Sequence, residues 1–273
     1  MVIDLKTSFM MVYSKFFKQF IEKGWKPGTL YVLNYHNTPK IYLENFKNQL
    51  NYLAQHFEFI RPNDLLNSQW GKEKKPKMII TFDDGIKSNL NTIPILDEFN
   101  IKALFFVVYN FIHSKEPTLF YRKNIRFNPN LYLESSKEDI TPMSHEDLKL
   151  LIQKGHSIGF HTASHDMREL LKWNEDRIFY EFILSKRLLE IEIGSKIVFF
   201  ASPIDSRLIW KKIGLEETIH ENYDCHFLTI GGINYKSKNL TKIKRINLEA
   251  YLRVEQVLFR LSKFEALRWK LKS

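Results

Sequence analysis

The sequence predicts an α/β fold built on a parallel sheet or barrel, and three observations carry that reading. Short runs of apolar, β-branched and aromatic residues recur along the chain, at Leu30 to Asn34, Met78 to Phe82, Ala103 to Tyr109, Ser157 to Phe160, Ile197 to Ala201 and Phe227 to Ile230. Helix-period segments lie between them, the alternation expected of βαβ units. The chain has 273 residues, 44% hydrophobic and 14% aromatic, enough to bury one substantial core.

Each element has a local reason. From Leu43 to Phe57 the apolar residues Phe46, Leu50, Leu53 and Phe57 recur at helical spacing, so this stretch reads as an amphipathic helix. Ser144-His-Glu-Asp147 resembles a capping box and opens another helix through Leu148, Leu151 and Ile152, which Gly155 is suited to end. Residues 112 to 143 break the rhythm with Pro117, Pro129, Pro142 and the basic-aromatic stretch Phe120 to Phe127. An irregular insertion of that length reads as a functional lid. The expected organisation is an amphipathic helical extension over 1–28, a globular unit over 29–247 and a basic amphipathic helix over 248–273.

Composition excludes several classes. Cys225 is the one cysteine, so neither an intrachain disulfide nor a cysteine zinc site can form, and any metal must use His, Asp or Glu. Cys225 itself reads as a packing residue. The first residues lack a basic region followed by an apolar core and cleavage site, and no stretch offers the roughly 20 apolar residues of a spanning helix. The expectation is a cytoplasmic protein, soluble or peripheral at the inner face of a membrane. A net charge of +10 favours an anionic contact, but the lysines are scattered and no nucleic-acid motif is visible. A basic nucleic-acid-binding protein is therefore supported by charge alone.

Two motifs carry chemistry. Met78-Ile-Ile-Thr-Phe-Asp83-Asp84-Gly85 places adjacent carboxylates after a buried-type strand. An Asp-Gly pair also suits a hairpin turn, yet here a helix-like segment, Asn89 to Phe99, leads to the next apolar run. The pair therefore belongs at the carboxyl end of a parallel strand, where barrels gather functional groups. Neighbouring carboxylates repel and call for a cation or a shared proton. Ser157-Ile-Gly-Phe-His161-Thr-Ala-Ser-His165 ends a second short strand with two histidines four residues apart, a spacing that can bring both to one ion. One carboxylate and two imidazoles suit zinc or a similar divalent ion with positions left open. Such a site, with a second carboxylate as base, points to hydrolysis of an amide or ester.

Thr81-Phe-Asp-Asp-Gly85 and His161-Thr-Ala-Ser-His165 resemble the first two motifs of the polysaccharide deacetylase, or NodB-homology, family within carbohydrate esterase family 4. The similarity extends over most of residues 30 to 247 and takes in Asn34-Tyr-His36, Ala103-Leu-Phe-Phe-Val107 and Met143-Ser144. It implies a distorted (β/α) barrel that removes N-acetyl groups from sugars, with Asp83 as base and Asp84, His161 and His165 as metal ligands. Phe200-Ala-Ser-Pro-Ile-Asp205 resembles one branch's Phe-Ala-Tyr-Pro-Tyr-Gly, with Ser202, Ile204 and Asp205 in place of the aromatics and the glycine. The backbone N–H of Ile204 would serve as oxyanion donor, a role that needs no particular side chain.

The family's late Leu-x-Leu-His motif is not visible, and His220 and His226 lack its context. Arg245 resembles an arginine that would orient Asp83, and His36 is a candidate for proton delivery. His56, His113, His145 and His156 read as structural or exposed. The resemblance implies an N-acetylated saccharide partner, and the intracellular reading favours a nucleotide- or lipid-linked precursor of a surface polysaccharide. The altered third motif motivates an alternative: a catalytically impaired carbohydrate-binding pseudoenzyme of the same fold. Finally, Phe9, Val12, Tyr13, Phe16, Phe17, Phe20 and Ile21 fall close to one helical face beside Lys15, Lys18 and Lys23, and a similar apolar-basic pattern runs from Leu248 to Lys272. Such helices either pack their apolar faces against the barrel, as terminal helices usually do, or make peripheral contact with an anionic membrane, which the surplus basic charge favours.

Overall fold

The computed structural model describes residues 5–67, 74–125, 140–168, 170–204, 210, 214–235, 240–263 and 265. Asp205 and the end of the basic C-terminal pattern lie outside them.

The apolar runs become strands β1 (Thr29–Tyr35), β3 (Lys77–Phe82), β4 (Leu104–Val107), β5 (Ser157–Phe160), β6 (Phe199–Ala201) and β7 (Cys225–Phe227), supplemented by β2 (Glu58–Phe59), β8 (Asn234–Tyr235) and β9 (Ile246–Asn247). The sheet runs β7-β6-β5-β4-β3-β1-β8, with β2 on β3 and β9 on β1. All pairs are parallel except β1 with β8. The sheet curls into a half-barrel, and residues 243–248 span the gap between β7 and β1. Ile243 exchanges backbone bonds with His226 and Leu228, Arg245 N–H donates to the Ile230 carbonyl (3.1 Å), and Leu248 N–H donates to the Asn34 carbonyl (2.8 Å). The expected barrel is thus distorted at this closing segment.

Period-two alternation sorts the strand residues into two cores. Leu30, Val32, Ile79, Leu104, Phe106 and Phe227 pack with their neighbours on the concave side. Tyr31, Leu33, Ile80, Phe82, Phe105 and Phe160 pack outward against the helices. The same parity continues to the carboxyl ends of the strands, where the concave positions become polar: Asn34, Thr81, Asp83 and His161. Apolar interior and polar mouth therefore come from one alternating pattern.

The outer layer contains α1 (Leu5–Lys23), α2 (Leu43–His56), α3 (Ile93–Glu98), α4 (His145–Gln153), α5 (Ser185–Ile193), α6 (Leu215–Asn222) and α7 (Val254–Arg260). Helix α2 buries Phe46, Leu50 and Leu53, as its spacing dictates. The capping box of α4 forms, with Ser144 Oγ accepting from Asp147 N–H and Asp147 Oδ2 accepting from Ser144 N–H. Gly155, at φ +82°, ends the turn that follows.

Four local expectations shift. The run Phe227 to Ile230 contributes only Phe227 to a strand, because β7 starts earlier, at Cys225, and the chain bends at Thr229 and Ile230. The run beginning at Ala103 is strand only to Val107, and Tyr109–Ile112 turns into a short helix. The apolar-basic pattern from Leu248 is helical only from Val254, because Leu248 leaves β9 and buries directly in the core. Within α1 the apolar residues divide: Met10 and Ile21 are buried, Tyr13 packs edge-on against Phe259 of α7, and Phe9, Val12, Phe16 and Phe20 are exposed.

Candidate active site

The strand ends deliver the two motifs to one place. Asp83 and Asp84 follow β3, His161 follows β5, and the turn after it carries His165. Asp84 Oδ1 lies 3.7 Å from His161 Nε2 and 3.6 Å from His165 Nε2. One donor atom from each of the three lies within 4.8 Å of the others.

Both imidazoles are oriented by backbone. His161 Nδ1 donates to the Ala201 carbonyl (2.7 Å) and His165 Nδ1 to the Asn124 carbonyl (3.1 Å). A carbonyl can only accept, so each Nδ1 carries the hydrogen and each Nε2 presents its lone pair to the Asp84 carboxylate. Burial pushes His161 down to about 4, outweighing the opposing pull of Asp83, and the ring is neutral at neutral pH. Two imidazoles tethered through the far nitrogen, with a carboxylate at their centre, are the donor set a divalent ion requires. The residues present fit a metal.

Holding this geometry costs backbone strain. Asp84 (φ 73°), Thr162 (φ 67°) and His165 (φ 59°) occupy the left-handed region, which is unfavourable for any side chain and most so for β-branched Thr162. The second-motif turn is pinned by Glu181, whose buried carboxylate accepts from Ser164 N–H (2.9 Å) and Ser164 Oγ (2.6 Å). Burial raises its pKa, a tendency that the Ser164 bonds and Arg177 oppose.

Asp83 sits beside the cluster in a different environment. Arg245 Nη1 donates to its Oδ1 at 2.6 Å and Asn34 Nδ2 to its Oδ2 at 2.9 Å. His161 Nε2 and His36 Nε2 lie 3.7 and 3.9 Å from Oδ2. Burial opposes ionisation of Asp83, but Arg245, then His161 and His36, outweigh it and hold the carboxyl well below the usual range. Arg245 is itself only 1% exposed. Its Nε donates to the Leu228 carbonyl (3.0 Å), and its guanidinium lies 5.3 Å from the Phe106 ring centroid. Phe106 needs Gly159 opposite it, because a Cβ there would meet the ring at 2.4 Å.

The structure therefore brings together Asp83, Asp84, His161, His165, His36 and Arg245. Ile204 lies three residues beyond the Ala201 carbonyl that holds His161, with its side chain exposed. His226 points away from the concave face, its ring stacked on Trp210 and bonded to Ser202 Oγ. Cys225 is buried, and burial pushes its thiol up to about 12, so it packs rather than reacts. Described residues of the insertion contribute the Asn124 carbonyl and pack Tyr121 and Ile125 against Ile86, Val108 and Phe111. Sequence reasoning missed Asn34 and Glu181 as supporting groups. Asn34 breaks an apolar strand as a polar residue, which is a visible signal, whereas Glu181 pairs across a fold that no local pattern announces.

A family profile described as polysaccharide deacetylase matches residues 71–209, more than half of the chain. The chain belongs to the polysaccharide deacetylase family. The matched span includes Asp83, Asp84, His161, His165 and Ile204. No curated protein sequence matches this one significantly. Among solved structures, the Streptococcus pyogenes deacetylase PplD, in complex with acetate, is similar with a TM-score of 0.63 at 19% identity, covering 87% of this chain and 100% of that one. A polysaccharide deacetylase from Bacillus cereus aligns with a TM-score of 0.57 at 19% identity over 86% and 70% of the two chains. IcaB from Ammonifex degensii gives 0.55 at 20% identity over 87% and 98%. At such identities the structures show the shared fold, and the family match supports a hydrolase that deacetylates saccharides.

Proposed function

We propose that this polysaccharide deacetylase-family chain is a metal-dependent carbohydrate N-deacetylase that uses a divalent ion, zinc by donor chemistry. The observation that carries this is the convergence of Asp84, His161 and His165 beside Asp83, which is held ionised. Asp84, His161 and His165 would hold the ion, which when bound supplies Lewis acidity toward a carbonyl and toward water. Asp83 Oδ2 faces this group while Oδ1 is tied to Arg245, so Oδ2 is the atom that takes a proton from the attacking water. His36, whose Nε2 lies beside the same oxygen, would return a proton to the leaving amine, and the Ile204 N–H would stabilise the oxyanion. The Asp83–Arg245 pair and the donor set favour catalysis over a binding-only pseudoenzyme.

The substrate class we infer is an N-acetylated sugar on a nucleotide- or lipid-linked precursor of a surface polysaccharide, reached at an anionic membrane face. Helix α1 supports the location. Phe9, Val12, Phe16 and Phe20 form one stripe, with Phe16 81% and Phe20 72% exposed, and Lys15, Lys18 and Lys23 are exposed on the same helix. Behind it lies a cavity of about 300 Å³ lined in part by Phe20, Trp25, Lys23, Lys26 and Lys263, apolar and basic as a lipid would require. No helix among the described residues is long and apolar enough to cross a membrane.

The test is acetate release from a panel of N-acetylated precursors by metal-loaded protein. His36→Ala should lower turnover steeply while leaving metal affinity unchanged. A near-normal rate would remove His36 from the mechanism.

A further inference from the structure

A second group of metal-ligating side chains meets in the helical layer. His113 follows the short helix Tyr109–Ile112, His145 opens α4, and Glu192 lies in the last turn of α5. His113 Nε2 is 3.2 Å from Glu192 Oε1 and His145 Nε2 is 3.1 Å from Oε2. One donor atom from each lies within 4.8 Å of the others. Tyr109 Oη donates to Glu192 Oε1 at 3.1 Å. All three ligating side chains are about one-third exposed, leaving room for water to complete a coordination shell.

The tautomer of His113 makes this group more than a polar cluster. Its Nδ1 lies 2.8 Å from the Tyr109 carbonyl, which can only accept, so Nδ1 carries the hydrogen. In the neutral ring, Nε2 then aims a lone pair at a carboxylate oxygen, and two acceptors 3.2 Å apart repel. A cation between them removes that conflict, and His145 Nε2, 3.1 Å from Glu192 Oε2, lies within reach of the same ion. His113 repeats the arrangement of His161 and His165, with Nδ1 on a backbone carbonyl and Nε2 toward a carboxylate.

We propose that His113, His145 and Glu192 form a second site for a divalent cation of the zinc class, separate from the Asp84 cluster. Two imidazoles and one carboxylate, open to solvent, suit zinc among the divalent ions. The site is structural. Tyr109 and Asn110 donate their N–H groups to the Thr162 and Ala163 carbonyls (3.2 and 2.8 Å), so an ion here ties α4 and α5 to the strained turn that carries His165.

The test is zinc titration of metal-stripped full-length protein with a competing chelator, with circular dichroism checking the fold of each variant. Wild type should take up two zinc ions per chain, His145→Ala and Glu192→Gln one, His165→Ala one, and His145→Ala with His165→Ala none. Tyr109→Phe, which strips the hydroxyl from Glu192, should weaken one of the two sites by about 10- to 100-fold. Zinc should also raise the melting temperature of His165→Ala. The proposal is overturned if wild type binds a single ion that His165→Ala removes and His145→Ala leaves untouched, the outcome in which His113 and Glu192 form an imidazolium–carboxylate pair. Loss of an ion in His145→Ala with none lost in His165→Ala would support this site while contradicting the Asp84 centre.

Discussion

At the scale of single residues, the site depends on opposing charges placed out of water. Asp83 is ionised in a buried setting because Arg245 lies 2.6 Å away. Removing one partner of a buried pair leaves the other uncompensated, so Arg245→Ala should cost about 3–5 kcal/mol of stability at neutral pH. The sign with pH follows from the shift. In the wild type the depressed Asp83 pKa contributes stability present above its unfolded value and lost as pH falls through the folded one. In the variant, burial acts without Arg245, Asp83 takes up a proton more readily on acidification, and the deficit should shrink. Denaturant melts of both proteins at neutral and acid pH check this, and a deficit that does not change with pH would contradict it.

Residue-scale legibility divides along the same line. Asp83, Asp84, His161 and His165 can be read from sequence because each pair is local and ends a recognisable strand. Arg245 is legible only through family resemblance, since 162 positions separate it from Asp83. The pairing of His113 and His145 through Glu192 is not legible at all: three unremarkable residues become neighbours only when α4, α5 and the short helix Tyr109–Ile112 pack together.

Among the elements, α1 makes the clearest departure from ordinary packing. A terminal helix usually turns its apolar stripe inward, and a contiguous apolar face left in water marks an interaction site. Here Met10 and Ile21 face inward while Phe16 and Phe20 stand exposed. The sequence pattern cannot separate these two faces, because phenylalanines on adjacent positions blur the amphipathic boundary. If α1 docks on lipid, full-length protein should co-sediment with anionic liposomes at low salt and be released at high salt, each lysine near the surface contributing about 1 kcal/mol. Phe16→Ser with Phe20→Ser should abolish sedimentation without altering the melting temperature. Protein that stays in the supernatant at low salt would exclude the membrane as the partner of this face.

For the molecule as a whole, the barrel's outer packing sets a pH limit on stability. His156 Nδ1 accepts the Ala103 N–H at 3.0 Å, so a proton added there would break that bond inside the core. Burial, reinforced by Lys102, pushes its pKa down to about 4. Between the usual histidine value of roughly 6.5 and that folded value, the unfolded chain binds more protons, and stability should fall as pH falls. In metal-stripped protein His161, also held at about 4, adds a second proton in the same window. His156→Asn should lower the slope of unfolding free energy against pH by one proton, about 1.4 kcal/mol per pH unit at most. An unchanged slope would place the acid sensitivity elsewhere. The parallel order of the sheet is legible from alternating strand and helix signals, but its closure is not. Residues 243–248 bridge β7 and β1 through the isolated bonds of Ile243 and Arg245 and the two-residue strand β9, a stretch too short to carry a strand pattern in sequence.

In the proposed function the Asp84 cluster holds a divalent ion that the Asp83 chemistry requires. Acetate release from N-acetylated saccharides, measured on metal-stripped protein before and after adding zinc, tests it most directly when wild type is compared with Asp83→Asn and His161→Ala. Zinc should restore activity in wild type alone. Asp83→Asn should bind zinc yet turn over about 10²- to 10⁴-fold more slowly, and His161→Ala should lose affinity for the ion and activity together. Equal acetate release with and without metal, or full activity in Asp83→Asn, would contradict it.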